Sequence, residues 1–592
     1  MFKLIGVYWR ANQWLTLALL VGAGIAGVLM PGFVLATGAL ADAVRAHGPT
    51  LQPLLLLTGL FFVARTLGPL TYECGNALWR QVDEYLTRRL MLAMAAPPGL
   101  THIEDAEVLG KVTQIQGVMM GWTPGQSAVR FGMVLTWRLQ GILSLLIVAR
   151  FQWWAGLAAA GLVTGIFQLA RWYNSEVTEV AYGNTDKLRR SDYMRGLALS
   201  GTMAKETRVF GLRQWLVDQY RAAWLAVMID IWRRRRQGWA LGLGVGSLAL
   251  LVYGGILAAV AASAVRGEVS LGEAVATAQA LLAAGILSIY DDAHLANAHA
   301  LKSLGKLEEL EAAVPARAGA RPATDAALAR VGTIRFEDVT FTYPGRTEPV
   351  LDHLTLDIEA GRSLAIVGEN GAGKTTFVKL LARLYEPESG RITVDGVDVA
   401  DMAPEDWQRH VAAVFQDFVC FELKAYDNVA FGALHAYDDA AGVERAAREA
   451  GAMPIVERLA NGWETMLSRQ FSEGTQLSGG EWQRLALARA LFAVSSGAGV
   501  LVLDEPTASL DVRGEAEVYQ RFLELTRGVT AIVISHRFST VKQADRIVVI
   551  ENGRLLEDGS HDELLARGGR YATMYLLQAS RFSEPESELA SA

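Results

Sequence analysis

Cysteine is almost absent from this sequence: 592 residues carry only Cys74 and Cys420, far apart and in no metal-ligand spacing. A disulfide framework and a cysteine-built metal site are thereby excluded, and two unrelated thiols in a reducing compartment are expected. Strong charge of one sign is also missing. The net charge is −7, without the basic balance that nucleic-acid-binding domains carry, so no nucleic acid is expected as a partner. A cleavable leader is not legible either. Lys3 precedes an apolar stretch that begins near Trp14, but the stretch continues to about Leu40 instead of stopping at a small-residue cleavage site. It reads as a retained first membrane span.

What is present is unevenly distributed. The chain is too long for one hydrophobic core, so at least two domains are expected. The first half holds most of the Trp and nearly all long apolar runs, and the second half reads as a soluble α/β domain. A membrane span needs about 20 mostly apolar residues. Six runs meet that test, at Trp14–Leu40, Leu51–Leu70, Phe131–Val148, Trp153–Leu169, Trp239–Ala262 and Leu271–Ile289. Three of the connections are short. The other two, near 79–130 and 171–237, are long, polar and helical in pattern. The long pair holds most of the basic residues, among them Arg88, Arg89, Lys111, Lys187, Lys205 and Arg233–Arg236. Both are therefore expected on the cytosolic side, with both termini. The four-arginine run before the fifth span reads as an anchor at an anionic membrane surface.

Ionisable residues at membrane depth are expensive and are functional candidates. Arg65 and Arg138 each lie about a dozen residues from the outer end of their spans, roughly 18 Å at helical rise. One reading has them lining a central cavity that favours a substrate with negative or carbonyl groups. The other has the helices continuing into the cytosol, with both arginines snorkelling or paired to Glu73, Asp291 or Asp292.

In the second half, Ser363–Val367 is a buried-type strand running into Gly368, Glu369, Asn370, Gly371, Ala372, Gly373, Lys374, Thr375 and Thr376, after which a helix begins. Strand, glycine loop and helix in that order make a phosphate cradle. Glycines let backbone N–H groups point inward, and the helix N-terminus adds a favourable dipole. Lys374 supplies positive charge to β- and γ-phosphates, and Thr375 a hydroxyl to Mg²⁺. Val500–Leu503 is an apolar strand ending in two carboxylates. Asp504 is expected to hold Mg²⁺ through water, and Glu505, past the strand end, to polarise an attacking water.

Leu477, Ser478, Gly479, Gly480 and Glu481 follow about a hundred residues after the loop. Together with the loop and the paired acids they resemble the signature of ATP-binding-cassette (ABC) proteins. The resemblance implies that Ser478–Glu481 cap an ATP held by the loop of a different copy. It also implies that Tyr343 stacks on adenine, that Gln416 touches the metal, that His536 senses the γ-phosphate, and that Asp511 lies in a loop crossing the dimer interface. Six spans with two long cytosolic extensions are similar to the membrane domain of type IV (exporter-type) ABC transporters. Thr101–Glu107 and Lys205–Leu212 fall where that family places its coupling helices.

The expected fold is thus multidomain, a six-helix all-α transmembrane domain followed by an α/β P-loop NTPase domain. The boundaries are 1–311 for the membrane domain, 312–331 for an Ala/Pro/Gly/Arg-rich linker, 332–580 for the cassette and 581–592 for a tail. The cofactors implied are ATP and Mg²⁺. The partners implied are membrane lipids and a second copy or a related half-transporter. The activity implied is ATP hydrolysis driving export of a peptide, lipid or hydrophobic small molecule, with the cassette in the cytoplasm of a cell-membrane protein. The short run before Trp14 leaves no room for the N-terminal peptidase of some peptide exporters. Trp482 and Ser468–Thr475 depart from the polar and acidic residues many exporters carry there. With Phe415–Phe418 they are similar to bacterial exporters of modified peptides that lack a peptidase. An importer of the same fold, a lipid flippase and a non-transporting membrane ATPase serving as sensor or assembly partner remain open.

Overall fold

The computed structural model describes residues 2–115, 123–183, 185–199, 203–313, 331–505, 528–535 and 537–583. The chain divides into two compact units. One comprises Met1–Leu92 and Leu109–Glu311, the other Ala93–Val108 and Ala312–Ala592.

The first unit is all helical. Six of its helical stretches are long and apolar enough to cross a membrane: Gln13–Arg45, Leu51–Ala95, Pro124–Phe151, Trp153–Ser175, Arg213–Val265 and Leu271–Ala313. Where lipid is as apolar as leucine, helices associate through close packing of small residues. Gly27 shows this: a Cβ there would sit 2.6 Å from Cβ of Leu139, so the first and third spans touch backbone to side chain. Gly38 does the same toward the sixth, where a Cβ would lie 2.6 Å from the carbonyl of Gly272. At that end Asp42 accepts from the Ser270 hydroxyl at 2.7 Å and from the Gly272 N–H at 2.6 Å. The sixth stretch is not one helix. Leu271–Ala284 tightens into a 3₁₀ turn over Gly285–Ser288, and a second helix starts at Asp292. Irregular backbone at membrane depth is tolerated where protein or a cavity meets it.

The second unit is built on two sheets. A four-stranded antiparallel sheet has the order β2-β1-β4-β5, with β1 Ile334–Phe341, β2 Leu351–Ile358, β4 Ser389–Val394 and β5 Val397–Asp398. A six-stranded sheet has the order β10-β9-β3-β8-β7-β6. Its strands are β3 Ser363–Val367, β6 Val411–Val414, β7 Val500–Asp504, β8 Thr530–Ile534, β9 Arg546–Glu551 and β10 Arg554–Gly559. The inner strands pair in parallel, and β7 and β8 are buried along their whole length, as a sheet covered on both faces requires. Because the strands are parallel, the chain leaves β3 and β7 at the same edge. The glycine loop and the acid pair therefore meet there, as ligands do at the carboxyl ends of strands in open α/β sheets. Ala93–Val108, between the second and third spans in sequence, packs with this unit. Leu100 donates its N–H to the Leu384 carbonyl at 2.9 Å and packs its side chain against the hydrophobic core of this unit.

Candidate nucleotide-binding site

The loop after β3 folds as its glycines demand. Gly373 sits at φ +100°, and a Cβ there would lie 2.7 Å from a Leu351 methyl and 2.8 Å from the Val350 carbonyl. Helix Lys374–Leu381 starts at once and aims its free N–H groups into the loop. The Lys374 ammonium curls back to donate to the carbonyls of Gly368 at 2.8 Å and Glu369 at 2.9 Å. Burial pulls its pKa below the usual lysine value, opposed by the charges of Glu505 and Asp504.

The loop forms one wall of a cavity of ≈ 570 Å³. Asn370, Gly371, Gly373, Lys374, Thr375 and Thr376 line it, facing Gln416, Asp504 and Glu505. Tyr343, Arg346 and Val350 close the remaining side. The Tyr343 hydroxyl reaches Thr376 Oγ1 at 3.2 Å, and its ring stands edge-on to Tyr385 with centroids 5.3 Å apart. One ring face is thus within reach of the cavity while the edge is fixed by packing.

The two acids differ. Asp504 ends β7 with 1% of its surface exposed, and burial raises its pKa against the hydrogen bond from Thr375. Its Oδ2 has no hydrogen-bond partner. A buried carboxylate oxygen with an open valence beside a threonine hydroxyl fits a hard, oxygen-preferring cation such as Mg²⁺. Among the described residues no cluster of three or more His, Cys, Asp or Glu is gathered to hold a metal by itself. Glu505 has left the strand, at φ +48°. A non-glycine residue in the left-handed region carries strain of order 1–3 kcal/mol, which tends to be kept at functional sites. Its N–H donates to the Ile534 carbonyl at 3.0 Å, and its Oε2 accepts from Gln416 Nε2 at 3.1 Å. That fixes a carboxylate at the mouth of the cavity.

The side chains of some expected residues lie elsewhere. The Glu369 carboxylate is paired with Arg570, away from the phosphates' side. Ser478 caps helix Gly479–Ser495 through a reciprocal box with Glu481. The Ser478 N–H and hydroxyl hold the Glu481 carboxyl below the usual carboxylate range, with Arg458 beside it. None of Ser478, Gly479, Gly480 and Glu481 lines the cavity. Asp511 and His536 lie outside the described residues. Arg346 and Val350 were not anticipated. Arg346 follows Tyr343 closely enough that a cation flanking the adenine-side aromatic was legible, whereas Val350 enters only through the register of β2.

In the membrane unit, Arg65 is exposed on the second span and Arg138 is half-buried, its guanidinium 4.2 Å from the centroid of Phe167. Neither makes a hydrogen bond or ion pair among the described residues. Of their three suggested carboxylate partners, Glu73 is engaged with Asn76, and Asp291 with His294 and the Ala293 N–H. The helical stretches that carry them, Leu51–Ala95 and Pro124–Phe151, run for 45 and 28 residues.

A phosphate loop, a buried metal-type aspartate and a strand-end glutamate make a nucleotide-type site, on a chain with six helices long and apolar enough to cross a membrane. Comparison with known proteins narrows this. Residues 351–508 match the ABC transporter family. Proteins named ATP-dependent lipid A-core flippase are similar over part of their length. That of Ralstonia nicotianae is 44% identical over 248 residues, covering 42% of this chain and 41% of that protein. That of Chromohalobacter salexigens is 42% identical over 255 residues, covering 43% and 42%. The chain thus spans about two fifths of the length of the curated relatives it matches. A bacterial Atm1-family ABC exporter with ATP bound shares the fold over 98% of this chain and 99% of that one, with a TM-score of 0.71 and 25% identity. Residues 351–508 thus match an ABC transporter domain, and the chain as a whole shares the fold of a bacterial ABC exporter.

Proposed function

We propose that this chain is an ATP-driven exporter that works as a pair of chains, hydrolysing ATP at two composite sites and moving a lipid or lipid-like amphiphile bearing acidic groups. The observation that carries the hydrolytic part is the convergence of Lys374, Thr375, Gln416, Asp504 and Glu505 on one cavity. Lys374 and the loop N–H groups take the β- and γ-phosphates, Tyr343 takes the adenine face, and Glu505 orients the attacking water. Bound at Asp504 and Thr375, Mg²⁺ supplies neutralisation of charge on the transferring phosphoryl group. Mg²⁺ commonly takes one or two carboxylates plus phosphate oxygens, in keeping with a single buried aspartate here. Ser478–Gly480 lie off the cavity at a helix N-terminus, which supports their serving the nucleotide of a second copy or a related half-transporter. His536 and Asp511 keep the roles their resemblance implies. The basic connections support a cytoplasmic cassette in a cell-membrane protein.

The cargo rests on less. Two relatives carry the name of lipid flippases, and Arg138 is a cation on a membrane-length helix with a π face beneath it and, among the described residues, no carboxylate paired with it. Such a group favours an acidic or carbonyl-bearing cargo, and Arg65 is assigned to the same cavity. Peptide export and import by the same fold are the competing outcomes. The test is purified protein in lipid nanodiscs, wild type beside Glu505→Gln. The variant is expected to bind ATP, to hydrolyse it on the order of 10²–10⁴-fold more slowly, and to trap a closed pair. Near-normal turnover by Glu505→Gln refutes the catalytic assignment. Stimulation of the wild type by peptides and not by acidic lipids refutes the cargo.

A further inference from the structure

The C-terminal helix Arg570–Ser583 touches both ends of the catalytic machinery. Its start is fixed by β10, where the Glu557 carboxylate accepts from the N–H of Arg570 at 2.6 Å and of Tyr571 at 2.9 Å. From that point the Arg570 guanidinium reaches Glu369 in the phosphate loop and, at 3.0 Å, Glu551 at the end of β9. Two turns on, Gln578 Oε1 accepts the N–H of Phe538 at 3.0 Å. Phe538 lies two residues past His536 and is also gripped edge-on by Tyr571 and Tyr575, with centroids 5.3 and 5.6 Å away. Tyr571 is fully buried and donates or accepts at His561 Nδ1, 2.7 Å away. The same side chains cover Ala365 and Val367 of β3, the strand that delivers the phosphate loop.

We infer that this helix is a brace that sets the spacing between the phosphate loop and the segment carrying His536, and that Arg570 and Gln578 are positioning residues for hydrolysis. The inference rests on the hydrolytic reading above. Eight residues of helix separate Arg570 from Gln578, about 12 Å at helical rise, so a rod of fixed length adds a second link between two loops that leave the paired strands β3 and β8. Neither side chain lines the cavity, so neither contacts nucleotide directly. The Gln578 carbonyl also supplies an acceptor for the first N–H of helix Phe538–Val541, a group that lacks an intrahelical partner. Small displacements of a positioned group near a reacting phosphate have large rate effects, because catalysis there is mostly geometry.

The experiment uses the full chain in nanodiscs with saturating Mg²⁺. Gln578→Leu removes the acceptor at constant bulk, and Arg570→Gln frees Glu369. Each is expected to lower kcat about tenfold, with KM for ATP and affinity for a fluorescent ATP analogue within about twofold of wild type. Arg570→Lys and Gln578→Glu, which keep the charge and the acceptor, are expected to recover most of the rate. The double variant should lose little more than either single one, because both act through one rod. Unchanged kcat in both variants overturns the inference, as does loss of analogue binding in proportion to kcat. Should Leu at 578 unfold the cassette, Gln578→Asn shortens the acceptor by one methylene and the same kcat loss is expected. If Glu505→Gln is silent as well, it is the hydrolytic reading that fails; if Glu505→Gln is dead while these variants are normal, only the brace fails.

Discussion

Asp504 and Glu505 are neighbours in sequence and opposites in environment, and the difference sets what each can do. Burial lifts the Asp504 pKa above its ordinary 3.8. Between the ordinary and the raised value the folded state holds more protons than the unfolded one, so stability falls as pH rises through that window and stays reduced above it. Asp504→Asn should therefore stabilise the nucleotide-free protein at pH 7 by about 0.5–2 kcal/mol, seen as a higher melting temperature, with the gain shrinking as pH falls through that window and gone below the ordinary aspartate value. The same variant should lose Mg²⁺-dependent hydrolysis, so calorimetry and turnover are expected to move in opposite directions. Tyr343 gives a second check. Base stacking on an aromatic is worth roughly 1–3 kcal/mol, so Tyr343→Ala should weaken ATP analogue binding about 5–150-fold, and Tyr343→Trp should restore it. The identities of these residues were legible because glycine loop, lysine and paired acids occur in one order with fixed spacing. The left-handed turn at Glu505 was not, since nothing local to the sequence demands it. It is imposed by the N–H bond to Ile534 on the neighbouring strand.

Among the elements, the strands carrying the site were readable as apolar runs. Ser363–Val367 coincides with β3, and Val500–Leu503 falls within β7, Val500–Asp504. Their parallel pairing is a long-range fact that no single run encodes. The spans were readable for the same reason, length of apolar sequence, yet the interruption before Asp292 was hidden because Ile289 and Tyr290 continue the hydropathy. Thr101–Glu107, expected as a coupling helix, is a single turn over Thr101–Glu104 followed by the start of a second helix at Ala106, and its sequence gives no sign of what holds it. The structure does: Leu100, just before it, is bonded to the Leu384 carbonyl through its backbone and packs its side chain on the cassette core. Leu100→Asp puts a carboxylate against an apolar core at about 2 kcal/mol or more. The cassette's own site should survive this, with basal hydrolysis within about twofold of wild type, while stimulation by cargo is lost. Loss of basal and stimulated rates together would mean that Leu100 only stabilises the cassette.

For the molecule as a whole, the separation of Ser478–Gly480 from the cavity has a consequence that single-chain variants cannot expose. Lys374→Ala disables the loop a chain offers to its own ATP, and Ser478→Arg disables the cap it offers to a partner's. Each variant alone pairs only with itself, so both of its sites contain one broken half and both preparations should be inactive. In a mixed pair the defects segregate. One site joins the broken loop to the broken cap, and the other joins the intact loop of the Ser478→Arg chain to the intact cap of the Lys374→Ala chain. Coexpression with two affinity tags and tandem purification isolates the mixed pair. If one complete site suffices, hydrolysis should return to roughly half of wild type, since two composite sites fall to one. If closure requires ATP at both sites, the mixed pair stays inactive but should bind one ATP analogue per pair. Each disabled pair should bind less tightly at every site, because each of its sites lacks either Lys374, worth about 1.5–3 kcal/mol as a charged hydrogen-bond donor, or the opposing cap. Activity from a monomeric cassette, or full activity of Ser478→Arg by itself, would show instead that the chain completes its own site.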